Sequence, residues 1–243
     1  MTVLSQEQRA TSLEAMTSQK FDVLVIGGGV TGAGIALDAA ARGLSTAVVD
    51  AQDWAAGTSS RSSRLVHGGL RYLYNLDFKL VAEALRERSR LLTTIAPHLV
   101  EAQPFLWPLK TPVIERAYSA VGVGMYDALA RIGSKGRKTV PIQRHLSKAG
   151  AMRRFPEIKR DALVGAIEFY DARVDDARLV ITLIRTAVKY GAAAASRVKV
   201  TEILKDGRGR ACGVKAVDLE TGNEFTIEAD RIINATGVWT EQT

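Results

Sequence analysis

An α/β fold built on a parallel sheet is predicted by three features near the start of the chain. Asp22-Val-Leu-Val-Ile26 is a short apolar, β-branched run, Gly27-Gly-Gly-Val-Thr-Gly32 follows it without a gap, and Ser45-Thr-Ala-Val-Val-Asp50 is a second apolar run. The first run suits a buried parallel strand. Residues Val30 to Arg42 between the runs are small and helix-compatible, with Ile35, Ala36, Ala39 and Ala40 able to lie close on a sheet. Strand, glycine turn, helix and strand in this order make a Rossmann-like βαβ unit with a right-handed crossover.

The glycines satisfy G-x-G-x-x-G in the strand-to-helix setting that gives the pattern its meaning. Gly27 permits the tight turn, Gly29 leaves room for a pyrophosphate, and Gly32 lets helix and strand pack. Gly28, Val30 and Thr31 complete the loop at a helix amino end, where backbone N–H groups and a partial positive charge favour phosphate. Asp50 closes the second strand, where a carboxylate accepts from ribose hydroxyls and disfavours a phosphorylated ribose. A dinucleotide is the expected ligand. These residues leave NAD and FAD open, and a glycine-tight turn with Asp50 capping a strand is the structural alternative.

Farther on, Phe78, Val81, Leu85 and Leu92 recur at helical spacing, with Glu83, Arg86, Glu87, Arg88 and Arg90 mostly elsewhere, which predicts an amphipathic helix. All six prolines (Pro97, Pro104, Pro108, Pro112, Pro141 and Pro156) fall between Pro97 and Tyr170, so short, interrupted elements and an inserted cap are expected there. Asp175 to Tyr190 returns to helix, with an acidic amino end and Gly191 as its stop. Ser196 to Leu204, Ala211 to Asp218 and Glu224 to Glu228 read as a β-meander, and Arg231 to Gly237 as one more buried strand. The Ala192 to Ala195 run is too short to mark low complexity. The expected organisation is a polar tail over 1–20, a nucleotide-binding segment over 21–96, an inserted substrate-facing region over 97–170 and a second nucleotide-binding segment over 171–243.

The length of 243 residues suits one large domain or two interlocked ones. Cys212 is the only cysteine, which rules out an internal disulfide and fits a reducing, cytoplasmic setting. No run has the character of a secretory signal or reaches transmembrane length. The formal net charge is +7, with excess in Arg131 to Arg160. That stretch has no interleaved aromatic series and no reader module, so nucleic acid is disfavoured, leaving an anionic membrane surface or a solvated basic face. His98 and His145 lack metal-ligand spacing, and no metal is expected. No Ser-His-Asp order or paired-carboxylate constellation stands out.

The segment Gly57 to Tyr72, GTSSRSSRLVHGGLRY, concentrates hydroxyls, arginines, a histidine and a glycine pair. Together with FDVLVIGGGVTGAGIALDAAARGL from Phe21, Val174-Asp-Asp-Ala-Arg-Leu179 and INATGVW from Ile233, it resembles the FAD-dependent glycerol-3-phosphate dehydrogenases. The resemblance runs from Phe21 to the end and is weakest across Pro112 to Arg144. It implies an FAD-binding domain of the glutathione-reductase/D-amino-acid-oxidase type, with a β-meander and an inserted partial substrate domain. It also implies oxidation of sn-glycerol 3-phosphate to dihydroxyacetone phosphate by hydride transfer to FAD. Electrons would pass to a membrane quinone, with peripheral association on the inner face of the cell membrane.

Residue by residue, the resemblance places Thr58, Ser59, Ser60 and Ser62 where the family approaches FAD, and His67, Gly68 and Gly69 beside the flavin ring. His67 either moves a proton or positions the cofactor. Arg71 and Tyr72 match substrate-site positions, and the Arg71 guanidinium suits bidentate phosphate recognition; His67 and Arg71 are the expected catalytic residues. Val198 fits the strand that reads adenine through its backbone, and Ala235, Thr236 and Gly237 fit the segment near the pyrophosphate or ribityl chain. Family members are longer, so the chain alone is expected to bind FAD poorly and not to turn over. An oxygen-using glycerol-3-phosphate oxidase, a non-catalytic nucleotide-binding fragment and an NAD-dependent Rossmann enzyme are the other readings.

Overall fold

The computed structural model describes residues 4–69, 75, 77–111 and 140–242, with isolated positions 117, 120, 122, 124, 125 and 128. Arg71 and Tyr72, and the basic residues Arg131, Lys135, Arg137 and Lys138, lie outside the described residues. The chain begins with α1 (Gln6–Ser18), β1 (Phe21–Ile26), α2 (Val30–Ala41) and β2 (Thr46–Asp50). The next elements are β3 (Leu65–Val66), α3 (Phe78–Arg90), β4 (Val100–Leu109), β5 (Arg144–Ser147), α4 (Lys148–Arg154) and β6 (Gly165–Val174). The last are α5 (Asp176–Lys189), β7 (Ala193–Ser196), β8 (Val198–Lys205), β9 (Ala211–Asp218) and β10 (Glu224–Asn234). They form two compact units, Met1–Ser63 with Asp176–Thr243, and Arg64–Asp175.

The first unit is built on a six-stranded sheet of order β7-β2-β1-β10-β9-β8. β7, β2, β1 and the end of β10 run parallel. One face packs Val25, Val48, Ala33 and Ala36 against Val180 and Ile184, and so carries α2 and α5. The other packs Phe21, Leu24, Ile26 and Val49 against Met16 of α1 and Ile227 of the meander.

The strands depart from the pattern read in the sequence at three places. The last meander strand and the final buried strand are one element: Glu224 to Glu228 pair with β9 and Ala229 to Asn234 with β1. No glycine or proline between Glu228 and Arg231 interrupts the extended chain. β7, a strand not read from the sequence, takes Ala193 to Ala195 of the alanine run with Ser196; its methyl side chains fit both packed layers but carry little β propensity to announce it. The strand expected from Ser196 to Leu204 breaks at Arg197, which has φ of +62°.

Residues 1–20 are likewise not simply a tail. α1 is capped by Ser5, whose hydroxyl accepts from Gln8 N, and it buries Ser12 and Met16. The helix lacks an apolar stripe because it docks largely through polar side chains, which is why the sequence concealed it. Gln8 Nε2 donates to Ala194 O at 3.2 Å, and Ala194 N donates to Ser12 Oγ at 3.1 Å, so α1 satisfies the outer edge of β7. Arg9 meets Asp218 at 2.5 Å. Burial pushes the Asp218 carboxyl up, but donation from Arg9, Glu220 N and Thr221, with the Arg9 charge, outweighs it and holds the carboxyl below the ordinary aspartate range.

A depressed carboxyl contributes stability that is present above its unfolded value, about 4, and is lost as pH falls through the folded value. Asp218→Asn is therefore expected to lower the urea midpoint at neutral pH and to converge on the parent chain in acid. A gap independent of pH would refute this linkage.

The second unit is an antiparallel sheet of order β3-β6-β4, with β5 also on β6. Its two ten-residue strands contradict the short elements expected from the prolines. Pro104 and Pro108 lie opposite Tyr170 and Ala166, at matching positions of the alternation. β4 has no second strand partner among the described residues, so this edge tolerates their missing N–H groups. α3, expected in the first nucleotide-binding segment, belongs to this unit, and Arg88 is buried rather than wet. Helical spacing puts Arg88 on the face of Val81 and Leu85, and its guanidinium meets Asp171 at 2.6 Å.

Candidate dinucleotide-binding site

The site is assembled at the carboxyl ends of β1 and β2. Gly27 ends β1 at φ of +111°, and a Cβ there would lie 2.5 Å from Ala235 O, so the turn and the close passage of the 235–237 segment both require glycine. At Gly32 a Cβ would lie 1.9 Å from Gly27 O, which brings α2 hard against the turn. Gly28 is covered by the Trp54 ring. Gly29 differs from these three. It is the N-cap of α2 in extended backbone with no side-chain cap, and a Cβ there would meet only Ser59 Oγ at 3.2 Å. No backbone crowds this position, and that one side-chain oxygen is all a Cβ would meet within 4 Å.

A cavity of about 410 Å³ opens there, within the range of small-molecule sites. Of the residues expected from the sequence, Gly27, Gly29, Val30, Thr31, Asp50, Thr58, Ser59, Val198, Ala235, Thr236 and Gly237 line it. Gly28, Gly32, Ser60 and Ser62 are not among its lining. The Ser62 hydroxyl donates to Asp176 Oδ2 at 2.6 Å, tying the Thr58–Ser60 turn to the start of α5, and Ser60 Oγ donates to Gly57 O. Both hydroxyls hold the loop that carries Thr58 and Ser59. His67, Gly68 and Gly69 belong to the second unit, where His67 is exposed, the two glycines are buried, and Gly69 has φ of +70°.

The polar groups of the cavity are oriented by backbone. Asp50 accepts from Gly28 N at 2.6 Å through Oδ2 and from Gln52 N at 2.7 Å through Oδ1, which fixes the carboxylate plane and leaves lone pairs for a further donor. Ser59 Oγ accepts from Val30 N at 2.9 Å, so its own hydrogen is available to an acceptor in front of α2. Asn234 Oδ1 accepts from both Thr236 N and Thr236 Oγ1 and holds the 235–237 turn in shape.

Gly57, Gln52, Lys199 and Trp239 also line the cavity and were not singled out in the sequence. A Cβ on Gly57 would lie 2.8 Å from the Trp239 ring. The glycine heading a run of hydroxyls was the available signal for this approach. Lys199 is the one cation in the lining and Asp50 the one anion, among the described residues.

A family model described as FAD dependent oxidoreductase, DAO, matches residues 22–243. The chain belongs to the FAD-dependent oxidoreductase family. It is 51% identical over 239 residues to a glycerol-3-phosphate dehydrogenase of Mycobacterium leprae, covering 98% of this chain and 40% of that protein. It is 41% identical over 241 residues to the alpha-glycerophosphate oxidase of Streptococcus pyogenes, covering 98% and 39%. Among solved structures, the glycerol-3-phosphate dehydrogenase of Bacillus halodurans complexed with FAD superposes with a TM-score of 0.70 at 31% identity, covering 98% of this chain and 38% of that one. The chain thus spans about 40% of the length of these relatives. The open cradle at Gly29, the α2 amino end behind it and the oriented Asp50 fit the diphosphate and a ribose of the family's cofactor.

Proposed function

We propose that this chain carries the flavin-binding part of an enzyme that oxidises sn-glycerol 3-phosphate to dihydroxyacetone phosphate, with FAD as first electron acceptor and a membrane quinone as the next. The observation that carries the reading is the open glycine cradle at Gly29, set between the α2 amino end and the Thr58–Ser59 turn. The substrate comes from the relatives, which are named for glycerol 3-phosphate whether they are dehydrogenases or an oxidase.

FAD, when bound, supplies the acceptor for the hydride leaving substrate C2. The residues of the chain bind and orient. The α2 amino end and Gly29 would hold the pyrophosphate, and the Ser59 hydroxyl, accepting from Val30 N, would have its hydrogen to offer there. Asp50, its carboxylate plane fixed by Gly28 and Gln52, would accept from ribose hydroxyls. Val198 and the Ala235–Gly237 segment line the cavity, where the resemblance would have Val198 backbone hold adenine and Ala235 to Gly237 hold the pyrophosphate or ribityl chain. By the family resemblance, His67 would accept the proton leaving the C2 hydroxyl or would hold the ring system in place. Arg71 and Tyr72 bind the substrate phosphate.

The full reading frame carrying these residues is expected to purify with flavin absorbance and to reduce a quinone analogue when sn-glycerol 3-phosphate is added. Protein without flavin, or flavin left oxidised by the substrate, would overturn the reading. The 41% identity to an oxidase favours oxygen as the second reading, and stoichiometric hydrogen peroxide would establish it. The 243-residue chain by itself is expected to bind FAD weakly and not to turn over.

No helix among the described residues is long and apolar enough to cross a membrane. The basic residues Arg144, Lys148, Arg153, Arg154 and Lys159 support peripheral attachment to anionic lipid on the cytoplasmic side.

A further inference from the structure

Between β7 and β8 the chain leaves the parallel sheet for the meander through a single residue, Arg197, at φ of +62°. A side chain with a Cβ rarely adopts that conformation, which persists where surrounding contacts over-determine it. Two backbone bonds hold the junction: Arg197 N donates to Gln52 O at 3.0 Å, and Leu219 N donates to Arg197 O at 2.8 Å. The third fastening comes from far away in sequence. Arg9 Nε donates to Ser196 O at 3.1 Å, while its terminal nitrogens reach Asp218 at 2.5 Å and Glu220 at 3.2 Å, on either side of Leu219. One planar fork therefore clamps both chains that meet at the junction. The Arg9 side chain is only 13% exposed, so these charge-assisted bonds are partly shielded from water.

The junction also forms part of the cavity. Val198, Lys199 and Gln52 line it, and Val198 is in register with Asp218. Arg9 does not line the cavity itself.

We propose that Arg9 is a positioning residue for the flavin site: by clamping Ser196 to Asp218 it fixes the wall that Val198, Lys199 and Gln52 present to the adenine end of the cofactor. This rests on the cavity being the FAD site. The wall depends on where the strained junction sits, and α1 extends the binding machinery to a helix that touches no ligand. A lysine in place of Arg9 supplies a point charge for Asp218 but not the fork that spans Ser196 O as well.

The test is titration of FAD into apoprotein prepared from the full reading frame, for the parent, Arg9→Ala, Arg9→Lys and Met16→Ala, with thermal unfolding measured on each. Met16 is 1% exposed on the same helix, so Met16→Ala weakens α1 docking without touching the clamp. Arg9→Ala is expected to raise the FAD dissociation constant about tenfold, the scale of one lost charge-assisted hydrogen bond, and Arg9→Lys about threefold. Met16→Ala is expected to lose at least as much thermal stability yet stay within about twofold of the parent affinity.

An unchanged dissociation constant in Arg9→Ala overturns the positioning role, as does an equal rise in Met16→Ala. Should Arg9→Ala not fold, Arg9→Lys is read against Met16→Ala in the same way. A parent protein that binds no FAD overturns the flavin reading itself and this role with it, whereas a parent that binds beside an indifferent Arg9→Ala overturns only the role.

Discussion

Gly29→Val is expected to fold with a loss of about 1 kcal/mol or less, the scale of exchanging a glycine N-cap for a poorer one, and to lose roughly a hundredfold in FAD affinity. The backbone at Gly29 is ordinary extended chain, φ of −79° and ψ of −176°, which a β-branched residue adopts without strain. The protein itself offers a new Cβ one close neighbour, Ser59 Oγ at 3.2 Å, a side-chain atom that must give by a few tenths of an ångström while it accepts from Val30 N. Any large effect must therefore come from what occupies the space in front of the helix. Urea unfolding of the apoprotein and FAD titration, measured side by side, separate the two consequences. Unaltered FAD affinity would remove the pyrophosphate from this cradle; a large loss of stability would mean that the glycine serves the fold after all.

The second large effect concerns the other unit. Asp171→Ala removes the carboxylate that Arg88 Nη1 meets at 2.6 Å, with the Arg88 side chain at 0% and the Asp171 side chain at 7% exposure. Breaking a buried pair from one side costs about 3–5 kcal/mol, because the remaining charge stays out of water. The double change Arg88→Met with Asp171→Leu is expected to cost far less, since neither charge is then left behind. Chemical denaturation of the three proteins checks this. A single change as mild as the double one would show that the ion pair contributes little to the second unit.

The parts of the molecule that were legible in the sequence share a physical cause: the signal was local. The turn at Gly27 and the packing of Gly32 follow from glycine at positions where neighbouring backbone leaves no room, and the pattern sits within a few residues of the strand and helix it joins. Asp50 was found for the same reason, although its first partners turned out to be Gly28 and Gln52 backbone.

What stayed hidden depends on residues distant in sequence. α1 presents polar side chains to a strand edge almost two hundred positions away, so no apolar period marks it. β7 is four residues of low β propensity whose identity as a strand comes from β2 beside it. Ser62 looked like a ligand hydroxyl, and only the folded chain brings Asp176 to it. Arg88 is the exception. Its spacing from Val81 and Leu85 already placed it on the buried face, and its charge argued against the correct answer.

The course of β10 has a consequence for the order in which the molecule takes shape. β1 emerges early in synthesis, yet its hydrogen-bonded neighbour on one side is a strand made some two hundred residues later, and that strand leads into the Ala235 carbonyl that closes over Gly27. Residues 64 to 175, a contiguous stretch, make their own sheet contacts without waiting. On a ribosome the inserted unit can therefore mature first, while the segment that encodes the nucleotide fingerprint waits as an unfinished sheet with an open edge. The Gly27 side of the pocket takes shape only when β10 threads between β1 and β9, two partners already made.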